Sequence, residues 1–87
     1  MAYFRKKPVV IEAIQWDGHN LKECFAFLGD SYGGHMAERH NGGRNEITVK
    51  TLEGKHIASE GDWLIRGVKG EFYPCKSDIF AATYDAV

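Results

Sequence analysis

Apolar and polar residues alternate between Phe4 and Trp16. Val9, Ile11 and Ala13 fall on one side, and Val10, Glu12, Ile14 and Trp16 on the other. With β-branched residues dominating its middle, this stretch predicts a long strand over 4–16. Its second face mixes Glu12 with large apolar groups, which suits a strand that bends or leaves the core partway. Asp17-Gly18-His19 reads as a turn. The period then changes, with Leu21, Cys24, Phe25 and Leu28 sharing one helical face. Asn20 is the expected N-cap, Glu23 completes an approximate capping box, and Gly29 supplies the stop.

Glycines 29, 33, 34, 42 and 43 punctuate a polar stretch, read as a flexible insertion over 29–45 within a single domain spanning 1–87. Inside it, Gly34 to His40 is expected to pair with Glu46 to Thr51 as a hairpin turning at Asn41-Gly42-Gly43. Short strand-like runs follow at Ile47–Thr51, Lys55–Ala58, Trp63–Arg66 and Glu71–Tyr73, the last closing at Pro74. Turn signals this close together describe an antiparallel meander. Ser77-Asp78 opens a second helix, whose residues Ile79, Phe80, Thr83, Tyr84 and Val87 form a stripe expected to lie on the sheet. The fold class is therefore α+β: one small curled antiparallel sheet of about five or six strands with two short helices.

Composition narrows the function classes without naming a chemistry. Eighty-seven residues make one domain, which buries only about two-thirds of the area its unfolded chain exposes. A deep private pocket is not expected, so a sizeable ligand site belongs at a surface or where copies meet. A formal net charge of −1 supplies no basic field for nucleic acid. The basic flank Arg5-Lys6-Lys7 precedes an apolar run that Glu12 interrupts, too short for a secretory core or a membrane span. With no export signal, Cys24 and Cys75 are expected to be reduced thiols in a cytosol.

Candidate chemistry is sparse. His35 and His40 lie five apart in a loop, while His19, His56 and the two cysteines are scattered, so no metal or other cofactor is expected. Cys75 precedes a helix start and adjoins Lys76; both features favour a thiolate, but no base is recognisable beside it. Neither glycine pair leads into a capped helix as a phosphate loop would. Glu53, Glu60 and Asp62 suit turns. The remaining pattern is basic residues interleaved with aromatics: Arg5, Arg66, Lys69, Tyr73 and Lys76, with Trp16 and Trp63 nearby. Charge-assisted bonds and stacking from such a set suit an anionic ring-bearing ligand such as a nucleotide. The competing and stronger reading is that the tryptophans fill the core while the charges solvate an edge.

Two blocks carry a family likeness. Tyr3-Phe4-Arg5-Lys6-Lys7-Pro8-Val9-Val10-Ile11-Glu12-Ala13-Ile14-Gln15-Trp16 is one. The other runs from Thr51-Leu52-Glu53-Gly54 through Gly61-Asp62-Trp63-Leu64-Ile65-Arg66-Gly67-Val68 to Gly70-Glu71-Phe72-Tyr73-Pro74-Cys75-Lys76-Ser77-Asp78-Ile79-Phe80. They resemble a family of small uncharacterised proteins of tailed bacteriophages and prophages. More loosely, Glu60-Gly61-Asp62-Trp63-Leu64 resembles the motif of the Pro-Gly-Asp-Tyr-Gly group, without its proline, tyrosine and final glycine. The resemblance implies a phage origin and action in the host bacterial cytoplasm, and carries over no catalytic residue.

The leading expectation is a non-enzymatic accessory protein, homo-oligomeric, that sequesters a small nucleotide-like immune signal. The alternative is a module that docks on a host defence or virion protein through an exposed sheet edge. Thiol chemistry at Cys75 ranks below both, and sequence-specific DNA binding last.

Overall fold

In a computed structural model, residues 1–4, 8–38 and 43–87 are described. The chain is α+β, with six strands and two helices among the described residues: β1 (Glu12–Gln15), α1 (Leu21–Leu28), a 3-10 turn (Gly29–Ser31), β2 (Tyr32–Ala37), β3 (Asn45–Thr51), β4 (Gly54–Ala58), β5 (Trp63–Arg66), β6 (Phe72–Cys75) and α2 (Ser77–Thr83). All strand pairings are antiparallel, but the strands form two sheets, ordered β1-β5-β6 and β2-β3-β4.

The single curled sheet expected from the meander is thus corrected to two. The cause is the reversal after β4. Ser59 N–H donates to Asp62 Oδ2 and Asp62 N–H to the Ser59 carbonyl, both at 2.9 Å. This turn is bound to the end of β1: Trp16 N–H donates to the Asp62 carbonyl at 2.9 Å, and Gly61 N–H to the Trp16 carbonyl at 2.6 Å. Those bonds hand β5 to β1 instead of β4. Gly61 holds φ +92°, a conformation that side chains rarely adopt.

The sheets face each other across one core. Trp16, Leu64 and half-buried Ile14 and Phe72 come from the first, while Ile47, Val49 and Ala58 come from the second. Cys24 and Leu28 of α1 close it, as the helical spacing requires. The opposite face of the first sheet carries Ala13, Trp63, Ile65, Tyr73 and Cys75 by register. There α2 lays Phe80 flat on Trp63, with centroids 4.1 Å apart and planes within 5°.

Several elements end elsewhere than the pattern predicts. The strand expected over 4–16 is confined to Glu12–Gln15, because β5 stops at Arg66, opposite Glu12. Beyond it Gly67 and Gly70 turn the chain away, Gly67 N–H donating to the Glu71 carbonyl at 2.7 Å. Asn20 precedes α1 but makes no capping bond; its side chain donates to the Gln15 carbonyl and accepts from Asp17 N–H. The β2–β3 hairpin forms with His35 opposite Ile47. Of its expected turn, His40, Asn41 and Gly42 lie outside the described residues. Strand β6 runs through Pro74, which an edge strand tolerates. Finally, α2 ends at Thr83, leaving Ile79 and Val87 exposed instead of on the sheet.

Candidate functional site

The basic and aromatic candidates do not converge. Trp16 is only 1% exposed, and its indole N–H donates to the Asn45 carbonyl at 2.9 Å, so its ring belongs to the core and is closed to any surface ligand. Lys76 is also committed: its Nζ donates to Asp62 Oδ2 at 2.9 Å. Arg66 sits at an exposed corner, 3.8 Å from Glu12 and with its guanidinium carbon 6.0 Å from the Phe72 ring centroid. Tyr73 points to the opposite face from Arg66, as the pairing of Ile65 with Tyr73 and Arg66 with Phe72 dictates. Burial and the neighbouring Tyr84 phenol push the Tyr73 hydroxyl up to about 12, so it stays a neutral hydrogen-bonding group. Arg5 lies outside the described residues.

Lys69 has a different neighbourhood from the expected one. It borders an open cleft of about 360 Å³ whose lining includes Ser31, Lys50, Leu52, Glu71 and Phe72. Two ammonium groups beside an aromatic ring suit an anionic ligand, although the Glu71 carboxylate, which accepts from Lys69 N–H at 3.0 Å, opposes them. Lys50 has no partner-specific signal in sequence; only the β3–β4 hairpin brings it near Lys69.

The expected thiolate character of Cys75 is reversed. Burial, then Asp62, then Asp78 push its thiol up, and the Lys76 ammonium that was to lower it is turned onto Asp62. Cys24 is pushed up to about 11 by burial, with Asp17 and Glu23 adding to it. His35 is held by Asn45, its Nε2 lying 2.6 Å from Asn45 Oδ1, and its ring meets Trp16 edge-on. Asn45 Nδ2 donates to the Gly18 carbonyl and to Glu60 Oε1, so this amide joins three chain segments. Among the described residues no helix is long and apolar enough to cross a membrane.

The feature with the clearest chemistry is backbone. Among the described residues, strand β1 is an edge of its sheet, paired with β5 on one side only. Trp16 N–H points inward to Asp62, so Ile14 and Glu12, two and four residues back, point the same way. The N–H and C=O groups of Gln15 and Ala13 therefore point outward. The Asn20 amide confirms this by donating to the Gln15 carbonyl at 2.8 Å, which closes that end of the edge. Among the described residues Ala13 has no such cover, and the Val9–Ile11 segment before the strand makes no ladder bond.

Beside this open backbone lies an apolar groove of about 310 Å³, lined by Val9, Ile11, Ala13, Trp63, Phe80 and Tyr84 among others. Val10, which also lines this groove, is 76% exposed. Edge strands are ordinarily blunted by charge, proline or cover. Here the charged Glu12 turns its backbone inward, toward β5. Sequence alternation located this strand, but which side of it would be open depends on where β5 pairs. Comparison with family models, curated proteins and solved structures finds no match for the chain.

Proposed function

We propose that the chain is a non-enzymatic binding protein that docks on another polypeptide by accepting an extended segment along the outer edge of β1. One observation carries the reading: the outward-facing backbone groups of Ala13, at the unpaired edge of β1, sit beside an apolar groove floored by the Trp63–Phe80 stack, and the Val9–Ile11 segment before the strand lines the same groove. Strand addition draws affinity from such backbone groups and selectivity from pockets beside alternate side chains. Each ladder bond contributes about 0.5–1.5 kcal/mol, and the groove adds apolar burial. The family resemblance supports the setting, a phage or prophage accessory protein acting in the host cytoplasm on a host defence or virion protein. Affinity capture from host lysate with wild type and Ala13→Pro, which removes the outward donor, tests this. Proteins retained by wild type and lost by the variant support docking; the same retained set for both excludes the edge.

A second reading is favoured by the Lys50, Lys69 and Phe72 cleft: a sponge for a small nucleotide-like anion. Calorimetry with cyclic dinucleotides and cyclic ADP-ribose isomers decides it. Heat that disappears in Lys69→Ala supports sequestration, and no heat with any of them removes it.

A further inference from the structure

We propose that the open end between the two sheets is a binding site for a nucleoside monophosphate whose base carries amino groups. This inference rests on the sequestration reading and names its ligand class and orientation. Strand β6 lies against β3 and β4, and its Phe72 and Pro74 share the face that carries buried Leu64. On the other sheet, His56 pairs with buried Val49 and stands two residues from buried Ala58, so alternation puts it on the core side of β4. His56 is nonetheless exposed, because the sheets do not close over it. A cleft of about 360 Å³ remains there, whose walls include His56, Phe72, Tyr73 and Pro74. Packing alone would call for an apolar residue at such a position; an imidazole beside an unfilled gap suits a ligand.

This cleft shares Thr51, Leu52, Glu71 and Phe72 with the cleft of Lys50 and Lys69, so the two form one trough. The trough is polarised. Lys50 and Lys69 line one end, Leu52 and the ring of Phe72 the middle, and Glu53 with His56 the other end. Two ammonium point charges suit a phosphate monoester, which carries close to two negative charges at neutral pH. The flat middle suits a stacked base, and a bound ring would cover Leu52, which is 90% exposed at the hairpin turn. A carboxylate only accepts hydrogen bonds, so Glu53 favours a base edge bearing N–H donors and disfavours one bearing carbonyls. A second phosphate at that end would meet the same carboxylate. The trough therefore fits a ligand anionic at one end only, and a cyclic dinucleotide less well.

Calorimetry at low ionic strength tests this with guanosine and uridine 5′-monophosphates, guanosine, inorganic phosphate and a cyclic dinucleotide. Guanosine monophosphate should bind at least tenfold more tightly than guanosine or phosphate, each of which fills half the trough, and more tightly than uridine monophosphate. Lys69→Ala and His56→Ala, both at exposed positions that leave the fold intact, should each weaken it roughly three- to tenfold. Equal affinity for the two monophosphates, or binding indifferent to either variant, overturns the proposed site and orientation. A cyclic dinucleotide held more tightly than the monophosphates overturns the ligand class and leaves sequestration standing. No heat with any of these probes, nor with cyclic ADP-ribose isomers, removes both.

Discussion

The Asp62 carboxylate, 5% exposed, takes one hydrogen bond from the Lys76 ammonium and one from Ser59 N–H through the same oxygen, each 2.9 Å long. One side chain thereby ties the turn that separates the two sheets to the residue that precedes α2. Lys76 remains 60% exposed, so water shares its charge and the two partners are unequal. Removing the acid loses both bonds and frees the reversal; removing the lysine loses only a half-solvated one. Asp62→Ala should cost about 2–3 kcal/mol and Lys76→Ala about 1 kcal/mol, measured by urea unfolding. Equal losses would show that the ion pair, and not the turn, is what matters.

The two tryptophans are predicted to report different surroundings. Trp16 is enclosed and hydrogen-bonded, whereas Trp63 is half-buried under Phe80. Acrylamide should quench the Trp63 emission and leave most of that from Trp16, resolved by the single variants Trp63→Phe and Trp16→Phe. Trp16→Phe also orphans the Asn45 carbonyl and opens a cavity, and should cost about 2–3 kcal/mol, against under about 1 kcal/mol for Trp63→Phe.

Much of this was readable in advance. Cys24 and Leu28 of α1 needed only their spacing, although Phe25 of the same expected face is left exposed, and β3, β4 and β5 needed only their turns, because each is specified by neighbours along the chain. What the pattern could not carry was partnership across the fold. β4 and β5 look like adjacent strands of a meander until Trp16 claims the Gly61–Asp62 backbone. Likewise, Lys76 looks free until a buried acid fourteen residues earlier accepts it. The open edge is the same kind of property: the alternation identifies the faces of β1, but which backbone groups lack a partner follows from where β5 ends.

Stability should fall in alkali through the Cys24 thiol. Its folded value is raised from 9.0 to about 11, so between those pH values the unfolded chain has lost a proton that the folded chain still holds. The folded state binds more protons there, and stability decreases as pH rises through that window. Cys24→Ser or Cys24→Ala should flatten the pH dependence of the urea midpoint between pH 9 and 11. An unchanged slope would assign the alkaline loss to other groups, such as Tyr73.

Phe80→Ala should strip the stack from Trp63 and weaken the floor of the groove. A loss of about 1–2 kcal/mol is expected for these half-buried rings, together with a red shift of Trp63 emission. Ile79→Ala, on the exposed side of the same helix, should change both by little. Equal effects would mean that α2 packs through a different face.

Amide hydrogen exchange at Ala13 and Ile14 tests the open edge most directly. In dilute protein the Ile14 amide, bonded inward to β5, should be protected while that of Ala13 exchanges at the rate of solvent-exposed backbone. When the edge is filled by a captured partner, Ala13 should become protected. An Ala13 amide that is already slow in the dilute monomer, or that stays fast in every complex the protein forms, would contradict strand addition at β1.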